Sequence, residues 1–117
     1  GCGVLLDVNN VYVSAMNHGF DAKEYIDAIS PVSVGEIHLA GHSVQAMLDK
    51  EIRIDDHGSK VCDAVWALYQ YTLKKVGVKP TLIEWDNDVP SWGELAEQAD
   101  IANSYLKKTR TEIAAHE

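Results

Sequence analysis

Three short apolar runs, each leading into a stretch of helical periodicity, restrict this chain more than any other feature. Val4–Val8 (VLLDV) is nearly continuous in apolar residues and is followed by Asn9 and Asn10. The segment Glu36–Ala40 alternates Ile37 and Leu39 with Glu36, His38 and Ala40 before Gly41 breaks it. Pro80 opens the third run, Thr81–Trp85. Runs of this length read as strands, and strands that alternate with helical segments point to a parallel sheet. The fold class expected is α/β: three consecutive βα units with a parallel sheet.

The helical segments have recognisable limits. Asn10 to Met16 reads as a short helical turn that ends at Asn17-His18-Gly19, where glycine supplies a left-handed stop. Asp21 caps a helix over residues 22–29, with Tyr25, Ile26 and Ile29 on its inward face. Ser59 is placed to cap a long helix over residues 60–76, whose positions Val61, Val65, Leu68, Leu73 and Val76 keep helical spacing; Gly77 stops it. A last helix begins at Pro90-Ser91 with the stripe Leu95, Ala99, Ala102 and Leu106, and the charged tail from Thr109 is expected to fray. Residues 43–50 carry no clear period. Alternation over Ile52–His57 reads as a brief extended piece, which would turn Asp55 and His57 to the same side.

Three parallel strands are too few to close on themselves. The choice lies between a small open sheet and part of a (β/α)8 barrel, which takes about 250 residues, and the barrel portion is the expectation here. Residues 1–117 are then a single partial barrel domain. The opening Gly-Cys-Gly, with no Met before the first strand, fits a piece of a longer protein.

Charge and cysteine content narrow the partners. The formal net charge of −8 is spread along the chain with no basic patch, which argues against nucleic acid and against an anionic membrane. Cys2 and Cys62 lie in different elements without C-x-x-C spacing, so reduced thiols are expected rather than a disulfide framework or a zinc knuckle. No apolar run approaches the roughly 18 residues of a membrane helix, and no signal peptide precedes the first strand, so a cytoplasmic location is the expectation.

Each strand ends in residues able to bind metal or move protons. Asp7 and Asn10 follow the first, His38 and His42 lie in and just beyond the second, and Glu84 ends the third; the Asp55-x-His57 loop adds two more. In parallel α/β folds the carboxyl ends of the strands share the face on which active sites are built, so these residues should converge. Imidazole and carboxylate donors suit zinc, manganese or non-haem iron, and the donor types alone do not choose among them. Singly, Asp7 and Glu84 read equally well as capping or loop carboxylates, and His38 as a hydrogen-bonded core residue. Asp86 and Asp88 read as turn residues, His18 and His116 as surface residues, and Trp66, Trp85 and Trp92 as core and lid packing.

The runs CGVLLDVNNVYVSAMNHGFD, EIHLAGH, IDDHG, VWALY and PTLIEWDNDVPSW resemble, in order and spacing, the carboxyl-terminal half of the DUF692 or UPF0276 family. That resemblance implies a xylose isomerase-like TIM barrel. It also implies kinship with multinuclear non-haem iron enzymes that use two or three iron ions and dioxygen to oxidise cysteines of ribosomally made precursor peptides. The metal ligands implied are Asp7, Asn10, His42, Asp55, His57 and Glu84, with His38 as a neighbour. The partners implied are the precursor peptide and a protein that presents it. The missing part of the barrel would supply further ligands, so the fragment alone should be inactive, and its two open sheet edges invite a homodimer. The rival expectations are a manganese or zinc sugar isomerase- or endonuclease-like barrel enzyme, and a catalytically inactive, self-associating half-barrel.

Overall fold

A computed structural model describes residues 2–115. The chain runs through strand β1 (Val4–Asp7), helices α1 (Val8–His18) and α2 (Ala22–Asp27), a single 3-10 turn (Pro31–Ser33) and strand β2 (Val34–Ala40). Strands β3 (Ser43–Met47) and β4 (Lys50–Ile54), helix α3 (Asp63–Val76), strand β5 (Thr81–Glu84) and helix α4 (Trp92–Ala115) complete it. β1, β2 and β5 form a parallel sheet with β2 in the middle, while β3 and β4 pair as a separate antiparallel hairpin. The α/β class and the parallel three-stranded sheet are as expected from the sequence. No helix among the described residues is long and apolar enough to cross a membrane.

The register fixes which side chains share a face. Asp7 stands opposite His38, His38 opposite Leu82, and Ala40 opposite Glu84. Because strand side chains alternate, Leu6, Ile37, Leu39 and Ile83 then face one way, and Leu5, Asp7, His38, Leu82 and Glu84 the other. The first set joins the core with Val8 and Val11 of α1, Ile26 of α2, Val65, Leu68, Tyr69 and Leu73 of α3, and Ala102 of α4. Each such Leu, Ile or Val side chain stabilises the fold by about 1.5–3 kcal/mol. Trp66 packs as expected, stacked 5.7 Å from Tyr105, with Tyr69 edge-on to both. The second set has no helix over it, and Leu5 and Leu82 are exposed there.

Several local expectations are corrected. β1 stops at Asp7 rather than Val8, because the Asp7 carboxylate accepts from Asn10 N–H and turns the chain at once into α1. The helical turn expected from Asn10 is therefore an 11-residue helix, ended as expected by Gly19 at φ 74°. In α2, capped by Asp21 as expected, Ile26 is buried but Tyr25 is exposed. α3 starts at Asp63 rather than at residue 60. Ser59 does not cap it; the Ser59 hydroxyl donates to the His42 carbonyl (3.3 Å) at a bend in the chain, and Cys62, extended, precedes the helix. α4 continues through Ala115, its polar Thr109 buried with a hydroxyl bond to the Tyr105 carbonyl; Trp92, expected in packing, is exposed at its start. His116 lies outside the described residues.

The unreadable stretch over residues 43–50 is half of the hairpin. Its two-residue turn places Leu48 at φ 57°, fully exposed at the tip. Asn17 of α1 pins the second strand, donating to the Arg53 carbonyl and accepting from the Arg53 N–H, both at 2.8 Å. At the other end of the hairpin the backbone passes so close to the next loop that a side-chain carbon on Gly41 would meet the Ser59 carbonyl oxygen at 2.1 Å.

Candidate metal centre

Asp7 leaves β1 at its carboxyl end and is already committed as the cap of α1. Burial raises its pKa, and the charges of Asp55 and Glu84 add to the effect against the lowering influence of the Asn10 N–H and of His57. Asp55, just past β4, is held from both sides by the first turn of α1: Asn9 Nδ2 donates to Oδ1 (2.5 Å) and Asn10 Nδ2 to Oδ2 (3.1 Å). Asn9 is completely buried, so its amide is fixed by what it bonds.

His57 sits at the middle of the group, in the left-handed region at φ 51° rather than in a regular extended segment. The loop after β5 fastens it there: the His57 carbonyl accepts from the N–H of Asp86 (2.8 Å) and of Asn87 (3.2 Å). Its Nδ1 pairs with Asp86 Oδ2 at 2.9 Å and lies 3.5 Å from Glu84 Oε2. Its Nε2 lies 2.8 Å from Asp55 Oδ1, yet not aligned for a hydrogen bond, and remains buried without a partner. Burial lowers the pKa of this imidazole, but the bond to Asp86 and the charges of Asp55, Glu84 and Asp7 outweigh it, so the net shift is upward.

The donor atoms thus form two overlapping triads. Asp7, Asp55 and His57 offer atoms all within 4.8 Å of one another, and so do His57, Glu84 and Asp86. Asn10 touches the first through Asp55. Glu84, at the end of β5, makes a short contact with His38 Nδ1, whose other nitrogen lies 3.4 Å from Glu36. Among the described residues the ion-pair partners of these carboxylates are histidines, with no lysine or arginine. Four carboxylates around one imidazole, with an unpartnered buried nitrogen in their midst, fit a cation. No cysteine joins the cluster; Cys2 is exposed and Cys62 lies at the start of α3.

His42 stands apart from the triads. Its Nδ1 bonds Asn9 Oδ1 at 3.0 Å and its Nε2 accepts from Arg53 Nη1 at 2.9 Å, with the Tyr12 ring 5.4 Å away. Burial, and then the Arg53 charge, lower its pKa. Three contributors are not apparent from the sequence: Asn9, Arg53, and Asp86, which reads there as a turn residue. Glu84-x-Asp86 carries the same alternate spacing as Asp55-x-His57, a signal that was present; nothing local marks Arg53.

Residues 1–107 match the family model described as RiPP precursor modification enzyme MbnB/TglH/ChrH. The chain belongs to this family. Its relatives include UPF0276 proteins of Paraburkholderia phytofirmans, 51% identical over 85% of this chain and 33% of the relative, and of Caulobacter sp. strain K31, 47% identical over 91% and 38%. A third, from Acaryochloris marina, is 48% identical over 93% of this chain and 38% of its own length. The chain thus spans about a third of the length of the curated relatives it matches. The DUF692/UPF0276 resemblance read from its motifs is therefore correct.

Proposed function

We propose that this chain is one portion of a (β/α)8 barrel enzyme that oxidises cysteines of ribosomally made precursor peptides at a non-haem iron centre, and that it provides part of that centre. The observation that carries the reading is the meeting at His57 of two donor groups, Asp7 and Asp55 in one and Glu84 and Asp86 in the other, where Asp7 and Glu84 end parallel strands, Asp55 and His57 follow the hairpin, and His57 Nε2 is buried without a partner. The sheet supports the barrel: helices cover only one of its faces, and the other, with Leu5, His38, Leu82 and Glu84, has the character of a barrel interior awaiting its remaining strands.

Asp7, Asp55, His57 and Glu84 would hold the metal. Iron bound there would supply the redox chemistry by which dioxygen oxidises a thiol. The protein's own part is orientation. Asp86 holds Nδ1 of His57, which leaves Nε2 as the free nitrogen, and His38 grips Glu84, so both ligands are aimed before any ion arrives. The peptide and a protein that presents it are the partners proposed for the whole enzyme. In this chain alone the exposed Leu5 and Leu82 on the outer strands β1 and β5 favour association with a second copy.

The test is elemental analysis with electron paramagnetic resonance on the full-length protein purified without oxygen. Two or three iron ions per chain are expected. Stoichiometric zinc or manganese in an active preparation would move the reading to a redox-inactive barrel enzyme, and a metal-free active protein would overturn it.

A further inference from the structure

A line of polar groups leads from the hairpin to Asp55, and its direction is set at one end. A guanidinium can only donate, so Arg53 Nη1, 2.9 Å from His42 Nε2, makes that nitrogen the acceptor. The His42 proton must then sit on Nδ1, which donates to Asn9 Oδ1 at 3.0 Å. With its oxygen so engaged, the Asn9 amide turns its nitrogen the other way, spending one hydrogen on the Gly41 carbonyl (3.3 Å) and the other on Asp55 Oδ1 (2.5 Å). Every hydrogen-bonding group from Arg53 to Asp55 has one role, and Asn9 is fully buried, where a reversed amide would be costly.

We infer that Arg53, His42 and Asn9 form a directional relay that positions Asp55 for metal binding, and that His42 acts as a positioning residue rather than as a ligand. This rests on the metal reading above. Arg53 suits the task because its backbone is clamped by Asn17 on both sides, and its guanidinium lies over the Tyr12 ring, 5.4 Å from the centroid. Without the relay, Asn9 can present its oxygen to the Asp55 carboxylate, two acceptors would face each other, and Asp55 would swing from its place beside His57 Nε2.

The test is Mn2+ titration, followed by electron paramagnetic resonance, of the full-length protein and its Arg53→Met, His42→Ala and double variants, with His42→Gln as the conservative replacement. Supporting ligands of this kind are worth about 10- to 100-fold in metal affinity. Both single variants are expected to weaken Mn2+ binding by that amount at unchanged stoichiometry. The double variant should be no weaker than either, because the two residues act in one chain. His42→Gln, whose amide can still donate to Asn9, should recover part of the loss. A metal-free thermal midpoint close to wild type separates the effect from misfolding. If a variant does not fold, the nitrogen chemical shifts of the His42 ring in the metal-free wild-type protein decide instead: the Nδ1–H tautomer is required, and the other tautomer overturns the relay. Wild-type affinity in Arg53→Met, or loss of a metal equivalent in His42→Ala alone, would overturn the relay and leave the metal reading standing. A wild-type protein that takes up no Mn2+ would overturn both.

Discussion

Nε2 of His57 and Oδ1 of Asp55 lie 2.8 Å apart without hydrogen-bond alignment, in a pocket where that nitrogen has no other partner. Two groups so placed are joined by a third body better than by each other. At the proposed metal centre a proton and a metal ion would compete for that place, with pH deciding between them.

The raised pKa of His57 gives that competition its sign. Protonation of His57 favours the metal-free fold, a contribution complete below its ordinary value of 6.5 and lost as pH rises through the raised one. Metal requires the neutral ring, so Mn2+ affinity should climb with pH over the same interval, by about tenfold per unit while one proton is released. Calorimetric titrations across the neutral range, with the proton count taken from buffers of different ionisation heat, would check this. A flat profile would remove His57 from the ligands.

Glu84→Gln keeps a partner for His38 but loses the charge. Activity and stoichiometric metal should disappear from the full-length protein, while the unfolding free energy of the metal-free form changes by no more than about 1 kcal/mol. Activity assays beside urea denaturation separate the two. Retained activity would take Glu84 out of the site.

Gly41→Ala should be destabilising by about 1–3 kcal/mol, because the added carbon would overlap the Ser59 carbonyl and the loop that carries Asp55 and His57 would have to move. The same variant should bind metal more weakly even at temperatures where it is folded. A shift in the denaturation midpoint at unchanged slope is the expected signature.

Leu73→Ala empties a fully buried position under the sheet and should cost about 2–5 kcal/mol, measured by chemical denaturation, with metal stoichiometry intact in the folded fraction.

Leu5→Lys and Leu82→Lys place charges at two exposed apolar positions of the outer strands β1 and β5. Sedimentation of the 117-residue chain should show association for the natural sequence and a shift towards monomer for the pair of substitutions.

The sheet was legible because its strands are short, apolar and followed by periodic helices, so Leu6, Ile37 and Leu39 declare their side by alternation alone. The hairpin was not, since β3 and β4 are largely exposed and no buried face imposes a period on Ser43–Met47. The start of α3 was misplaced because Ser59, a good cap in isolation, is claimed by His42 and Gly41 across the fold. At the site, Asp7 and Glu84 could be placed together because the ends of parallel strands converge by topology, whereas Asp55 and His57 reach them from the end of the hairpin. The environment of His42 could not, since it depends on an arginine that reaches it only through the pairing and clamping of the hairpin. Asp86 was hidden by its own loop: a carboxylate among turn-forming residues looks the same whether it faces solvent or a histidine.

The donors come from widely separated stretches of the sequence, with Asp7 leaving the first strand and Glu84 the last. An ion held by both, as proposed, would grip the fold as a removable staple and recognise only the finished arrangement. Metal supply would then become a clock on the protein itself: a loaded chain would open rarely, an empty one more often, and a protease that waits for opening would read the difference.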